Sequence, residues 1–370
     1  MYLFHELLLL SPLGIYVYYR LRTLLASRVL KNILTAVFLL LFAGYPLAET
    51  LSHRTAPAWT KPIMLFGYYC LPILLYLAMT VIFADLIVGA ARLLKIISRE
   101  TVRGEKFRKF RLAIVLAIPA AIMTYGLANF AHLRAQRYVI EIPRKSAQVG
   151  QFTIVFAADF HLGKITAARF MDRFVAKVNA EKPDIVLIGG DVLEGHRGDE
   201  DAGAFAAQFK RIKSKFGVYA APGNHEGYGG NRDAFFDEAG IRLLRDAVER
   251  VDGAFLLAGR NEAGRSRTRK SVAELLGATP GDLPVILMEH RPVSPDDFTQ
   301  SRVDIKLSGH THQGQLFPLN VIPEREFELS WGYLKKGRTH FFVTSGIQLW
   351  GPPVRTVGAS EYLVIRVMLR

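Results

Sequence analysis

Two short stretches, TIVFAADFH at residues 153–161 and IVLIGGD at residues 185–191, decide how this chain is read. Each is a run of apolar, largely β-branched residues of strand length, and each ends in a residue able to bind a metal. The pattern recurs downstream. Residues 218–221 lead through Pro222 into Gly223-Asn224-His225-Glu226, residues 285–289 into His290, and residues 305–308 into Gly309-His310-Thr311-His312. Ligands in open α/β sheets collect outside the strand ends, so these five loops are expected to converge.

Around these runs the periodicity alternates. Strands are predicted at residues 138–142, 153–158, 185–189, 218–221, 285–289, 305–308, 340–344 and 362–368, and helices at 167–180, 201–213, 231–239 and 272–276. Strands interleaved with helices call for sheets covered by helices. The later strands follow one another quickly, so an α/β (α+β) sandwich of two mixed sheets is expected rather than one parallel sheet. Residues 132–370 carry 33 Lys/Arg and 28 Asp/Glu, mixed as on a globular surface. Their net charge of +5 (33 less 28) is too small to argue for nucleic acid, and no aromatic stacking pattern accompanies it.

Residues 1–131 are a different polymer, with 14 Lys/Arg against 5 Asp/Glu gathered between apolar runs at residues 2–19, 33–47, 62–90 and 112–131. Crossing a hydrocarbon core takes ~20 helical residues. The last two runs are long enough; the first two are short, and the first contains His5 and Glu6. About four spans are expected, as a transmembrane helical region 1–131 before a catalytic domain 132–370. A cleaved signal peptide is not expected, because the first run lacks a basic start and further apolar runs follow. Arg20, Arg22, Arg28 and Lys31 follow the first run, and Arg92, Lys95, Arg99, Arg103, Lys106, Arg108, Lys109 and Arg111 follow the third. Only Arg54 and Lys61 lie between the second and third. The positive-inside rule assigns the two rich loops to the cytoplasm. The C-terminal domain is then expected on the extracytoplasmic side of a cell (inner) membrane. The basic segment 91–111 also suits anionic headgroups. A buried bundle in a soluble protein is the competing reading, which four such runs separated by basic loops disfavour.

The one cysteine, Cys70, excludes an intrachain disulfide and a Cys-based zinc site. A metal here has to use the candidate ligands Asp159, His161, Asp191, Asn224, His290, His310 and His312. Hard oxygen with imidazole nitrogen suits manganese, iron or zinc. Seven ligands exceed the need of one ion, and a carboxylate bridging two ions gives the ~3.5–4 Å spacing used in phosphoryl transfer. Gly190, Gly223 and Gly309 are expected to let the chain turn tightly at the strand ends. Taken singly, each candidate has a plainer reading: Asp191 as a helix cap or turn residue, His290 as a satisfied core histidine. Jointly they resist that reading, because burying so many polar groups without a metal is costly.

In order and composition these five blocks resemble the signature of the calcineurin-like metallophosphoesterases, over about residues 138–370. The segment Gly351-Pro352-Pro353-Val354-Arg355 resembles a bacterial membrane-associated branch of that family. The resemblance implies a four-layer sandwich of two mixed sheets flanked by helices. It implies that Asp159, His161, Asp191 and His312 hold one divalent ion and that Asp191, Asn224, His290 and His310 hold the other, with Asp191 bridging. It further implies in-line attack on phosphorus by a metal-bridged hydroxide, with His225 protonating the leaving oxygen. Family members often pair that histidine with an Asp, where this chain has Glu194. Arg355 is a candidate substrate-phosphate ligand, with a surface arginine on a rigid Gly-Pro-Pro turn as the alternative. His196 reads as a solvated loop residue and His340 as structural. Arg260, Arg265, Arg267, Arg269 and Lys270, with Gly264 and Ser266 among them, read as a mobile solvated basic loop, or as a contact for anionic groups.

The expected function is hydrolysis of a phosphomonoester or phosphodiester by a membrane-anchored dinuclear enzyme. Tethering makes a lipid-linked substrate natural, since a site held at the bilayer meets membrane substrates at high effective concentration. The alternative is a membrane sensor or scaffold that uses the fold as a binding module. The intact ligand set, with His225 and Asp191 both present, argues against it.

Overall fold

A computed structural model of the chain describes residues 2–52, 57–143, 147–194, 202–227, 233–262, 269–277, 279 and 281–370, with side chains from residue 11 onward except at 168. It divides into two compact units, residues 1–128 with 351–356, and residues 129–350 with 357–370.

The first unit is helical: α1 (Tyr2–Leu24), α2 (Arg28–Ser52), α3 (Lys61–Leu93), α4 (Arg99–Arg103) and α5 (Glu105–Ala131). Among the described residues three helices are long and apolar enough to cross a membrane, at residues 28–52, 58–93 and 105–131. The chain is thus a multi-pass membrane protein by helix length and composition. The three helices hold the second, third and fourth of the apolar runs expected to span. The first run lies on α1, which carries Pro12 inside it and Arg20 and Arg22 in its last turns. Small residues let α2 and α3 approach closely. A Cβ on Gly67 would lie 2.2 Å from the carbonyl oxygen of Gly44, the kind of contact that drives helix association where burial from water cannot. Asp85, which interrupts the third run, is matched there by Arg20 and Arg111, as an ionisable group within a span requires.

The second unit is an α+β sandwich. Its elements in chain order are β1 (Leu133–Ile142), β2 (Gln151–Ala157), α6 (Ala168–Ala180), β3 (Ile185–Ile188), α7 (Ala202–Phe209), β4 (Val218–Ala220), α8 (Asp233–Glu238), β5 (Arg242–Leu243), β6 (Ala247–Val251), β7 (Phe255–Gly259), α9 (Val272–Leu276), β8 (Val285–Met288), β9 (Ile305–Ser308), α10 (Val321–Glu326), β10 (Gly332–Lys336), β11 (Thr339–Val343) and β12 (Ser360–Leu369). One sheet runs β1-β12-β2-β3-β4-β5 and the other β10-β11-β9-β8-β7-β6. Both are mixed. β2, β3, β4 and β5 are mutually parallel, with β12 antiparallel to β2. β7, β8, β9 and β11 are parallel, with antiparallel β6 and β10 at the edges.

Strand alternation divides the core. Phe152, Ile154 and Phe156 of β2 face the space between the sheets, where Phe152 stacks on Phe255 at 4.7 Å between ring centroids. Val155 and Ala157 face the helices α6, α7 and α8, packing with Phe174, Phe209 and Phe236. All four residues of β3 are buried, as expected of a central parallel strand covered on both faces. Every strand and helix predicted from sequence in this unit is present, with ends displaced by a few residues. The sequence reading did not include β5, β6, β7 and β10. A hairpin signal was available for two of them: Asp252-Gly253, at the centre of the turn in the three-residue loop from β6 to β7, has φ of 45° and 62°, a left-handed pair typical of hairpin turns.

Candidate dinuclear metal centre

The loops that leave β2, β3, β4, β8 and β9 meet at the carboxyl ends of those strands, and three overlapping groups of donor atoms form. They are Asp159, His161 and His312; His161, Asp191 and His225; and Asp191, His290 and His310, each with its donor atoms within 4.8 Å of one another. Asp191 Oδ2 lies between two groups, 3.0 Å from His290 Nε2 and 3.9 Å from His161 Nε2. His161 Nε2 and His312 Nε2 are 3.1 Å apart, and Asn224 Oδ1 and His310 Nδ1 are also 3.1 Å apart.

Backbone strain accompanies this convergence. Asp159, His161, Asp191, His310 and His312 all have φ between 43° and 74°. Non-glycine residues enter that region at a cost of about 1–3 kcal/mol each, and such residues gather at functional sites. The surrounding hydrogen bonds hold them there. Asp159 N–H donates to Gly190 O, and the Phe160 and His161 N–H groups both donate to Asp191 O. The Asp159 carboxylate accepts from His310 N–H at 3.0 and 3.1 Å, and Asp191 Oδ1 accepts from His225 N–H at 2.8 Å. Of the three glycines, Gly190 alone has positive φ, at 90°. Gly223 and Gly309 serve close approach instead: a Cβ would sit 2.2 Å from Asp191 Oδ1 and 2.5 Å from Asp159 Oδ2 respectively.

The electrostatics call for positive charge. Asp159 and His290 are fully buried and Asp191 is 2 % exposed. Burial raises Asp159 to about 6. Burial alone would raise Asp191 too, yet His290, with His225 and His161, holds it well below the usual carboxylate range. Burial alone would lower His290, but Asp191 and Asp159 outweigh it and raise the imidazole to about 10. Burial lowers His161, and burial together with His290 and Arg291 lowers His310 to about 3. The last two are neutral donors ready to bind a cation.

The fit to divalent ions rests on the ring nitrogens. His290 Nδ1–H donates to Gly189 O at 2.7 Å, while its buried Nε2, aimed at Asp191, makes no hydrogen bond of acceptable geometry. His161 Nδ1–H donates to Glu194 Oε2 at 2.8 Å, which turns its Nε2 to the centre. A histidine whose other nitrogen is held by a carbonyl or carboxylate is the usual arrangement around a metal. The two His/Asp clusters are positioned to chelate two divalent ions.

Residues 152–314 match the model of the calcineurin-like phosphoesterases. A "Transmembrane protein with metallophosphoesterase domain" of Danio rerio is 30 % identical over 89 % of this chain and 78 % of its own length. The chain belongs to the calcineurin-like phosphoesterase family. A protein of the same description from Bos taurus is 29 % identical over 70 % of this chain and 63 % of its own length. An "Uncharacterized metallophosphoesterase" of Helicobacter pylori is 30 % identical over 59 % of this chain and 60 % of its own length. Vertebrate and bacterial relatives both match, so the membership is broader than the bacterial membrane-associated branch expected from residues 351–355. With this family domain and its metal-binding triads, the protein is a metal-dependent hydrolase.

Within this calcineurin-like site several expectations are altered. Glu194 does not bind His225 chiefly through its side chain. Its carboxylate is hydrogen-bonded to His161, and its Oε1 is 3.7 Å from His225 Nδ1, which donates instead to the Glu194 main-chain oxygen at 2.9 Å. Arg355 is not a surface residue. It is fully buried and belongs with residues 351–356 to the helical unit, where its N–H donates to Gly126 O at 3.1 Å. Arg260 and Arg269 are not solvated either, since both pair with the buried Glu289. Arg265, Arg267, Gly264, Ser266 and His196 lie outside the described residues. His340 is buried in β11, its Nδ1 hydrogen-bonded to Tyr333 Oη at 2.9 Å, in keeping with a structural role.

Two residues around the phosphoesterase centre were not singled out from sequence. Glu226 is buried, and its carboxylate accepts from the N–H groups of Asp191, Val192 and Gly223, tying the β3 loop to the β4 loop. Its place directly after His225 was the available signal. Gln348 caps the β2 loop from a distant segment, its N–H donating to Asp159 O and its Nε2 to Phe160 O. No local pattern marks it.

Proposed function

We propose that this protein hydrolyses phosphomonoesters or phosphodiesters at a dinuclear centre while anchored in a membrane. The observation that carries the reading is Asp191 Oδ2, set between His290 Nε2 at 3.0 Å and His161 Nε2 at 3.9 Å, where a bridging ligand has to stand. In this reading Asp159, His161, Asp191 and His312 hold one ion, and Asp191, Asn224, His290 and His310 the other. Bound there, the ions supply a nucleophile near neutral pH from water and neutralise charge on the phosphoryl oxygens. Glu194 fixes His161 in the tautomer that turns Nε2 inward and, through its main-chain oxygen, fixes His225 likewise. With Nδ1 held in this way, His225 would protonate the leaving oxygen from Nε2, the role of general acid. Glu194 is thus a positioning residue for two histidines.

The catalytic unit is proposed to lie on the extracytoplasmic side of a cell membrane. Counting α1 as a span or not leaves this side unchanged. The basic residues 92–111 precede a single remaining span, α5, and the positive-inside rule holds them in the cytoplasm whether or not α1 crosses.

The test is turnover of bis-p-nitrophenyl phosphate and p-nitrophenyl phosphate by the full chain in detergent with added manganese, beside Asp191→Asn and His225→Asn. Hydrolysis lost in Asp191→Asn together with its metal, and reduced about 10²–10⁴-fold in His225→Asn with metal retained, is the expected result. A metal-loaded chain inert toward both esters would overturn the reading in favour of a binding module.

A further inference from the structure

The segment between His312 and β10 forms a cap on the β9 loop. Three contacts seat it there. Thr311 Oγ1 donates to Ser330 O at 2.7 Å, the Phe327 ring stands edge-on to His310 at 6.4 Å between centroids, and Gly314 touches Asn320 so closely that a Cβ would meet it at 2.4 Å. The cap therefore leans on one candidate metal ligand, His310, and on the neighbouring Thr311 and Gly314.

Its exposed apolar side chains cluster at residues 317–322, ahead of the exposed charged residues Glu324, Arg325, Glu326 and Glu328. Among the described residues of the catalytic unit eight large apolar side chains are exposed, and five of them fall within residues 317–331: Phe317, Leu319, Val321, Ile322 and Trp331. Phe317 and Ile322 are more than half exposed, at 51 % and 62 %. Single exposed apolar residues need no explanation, whereas a cluster marks a surface with a partner. The partner is indicated by the rest of the chain. Three of its helices are apolar enough to cross a bilayer. One residue, His132, separates α5 from β1, and the chain returns to the helical unit at residues 351–356. A domain tethered so shortly meets the lipid surface at high effective concentration. Aliphatic side chains with a tryptophan beside them are the composition that such an interface takes up.

We propose that residues 317–322 insert into the surface of the bilayer and present the metal centre to phosphoesters carried on lipids. This rests on the phosphoesterase reading for its substrate and on the exposed cap for its docking. A soluble substrate would gain nothing from an apolar rim beside the ligands, while a lipid-borne one could reach the centre without leaving the membrane.

The experiment places an environment-sensitive fluorophore on Ile322→Cys in the full chain, in a Cys70→Ala background, reconstituted singly in phosphatidylcholine nanodiscs. Phe317→Cys is a second labelled position, and Lys210→Cys, at an exposed residue just past α7, is the aqueous reference. The expected result is blue-shifted emission at residues 322 and 317, several-fold weaker quenching by aqueous iodide than at residue 210, and quenching by lipids with nitroxide-labelled acyl chains. Labels at 322 and 317 as open to iodide as that at 210 would overturn the proposal. So would shielding that appears only in vesicles crowded with protein, since the occupant would then be a second copy. Turnover of bis-p-nitrophenyl phosphate by the same samples separates the two readings: inserted labels without turnover would sink the phosphoesterase assignment and leave the docking intact.

Discussion

Asp191 joins opposing demands in one side chain. Its Oδ1 accepts from His225 N–H while its Oδ2 faces His290 and His161, and its own N–H is held by Glu226. The room for this carboxylate exists because residue 223 has no Cβ. Gly223→Ala would place a methyl 2.2 Å from Asp191 Oδ1, and metal affinity is expected to fall about 10–100-fold or more, as when a supporting group of a metal ligand is lost. Gly150→Ala, where a Cβ meets nothing within 4 Å, is expected to keep its metal; elemental analysis of the two purified variants compares them. The protons of the centre give a second prediction. To bind a cation, His290, raised to about 10, and Asp159, raised to about 6, each have to lose a proton. Between about pH 6 and 10 binding displaces one proton, from His290, and below that range a second, from Asp159. Affinity therefore rises with pH throughout, more steeply on the acid side. Calorimetry of manganese binding at neutral pH in buffers of different ionisation enthalpy is expected to find about one proton released; a value of zero would mean that His290 is already neutral before the ion binds.

At the scale of elements, adjacent strands deliver ligands and also carry the charge that supports them. Glu289 ends the β8 run one residue before His290 and is 1 % exposed. It pairs with Arg260 at the end of β7, with Arg269, and with Lys306 in β9, whose Nζ also donates to Ser308 Oγ at 2.7 Å. Burial, with Arg260 and Arg269 nearby, pushes Lys306 down to about 7. Removing a carboxylate that the buried Lys306 shares with the partly buried Arg260 and Arg269 leaves all three uncompensated. Glu289→Ala is expected to cost about 3–5 kcal/mol of stability, read as a lowered midpoint of denaturation of the full chain in detergent. A change within the spread of ordinary surface substitutions, about ±0.5 kcal/mol, would mean that this network carries little. None of this was legible along the chain. Residues 260–270 read as a solvated basic loop because their acidic partner lies on another strand, and local composition says nothing of partners brought together by sheet pairing.

At the scale of the whole molecule, a membrane-helix unit and a phosphoesterase sandwich share one chain that passes between them at 128–129, 350–351 and 356–357. The basic loops predict the orientation. A cysteine placed by Lys106→Cys is expected to react with impermeant maleimide from the cytoplasmic face only, and one placed by Lys210→Cys from the outer face only; the reverse pattern would invert the assigned side. The sequence by itself determined the strands, the order of the ligand loops and the apolar runs. Each is a local property: a strand needs its own β-branched run, a span its own ~20 apolar residues, and a ligand its place just past a strand end. Only the tertiary structure decided that Glu194 holds His161 by its side chain and His225 by its main chain, that Glu226 and Gln348 pin the ligand loops, that Arg355 is buried, and that the apolar cap is seated beside His310. Those facts depend on groups far apart in sequence and on the direction each side chain takes once two sheets have closed, and no window along the chain contains both partners.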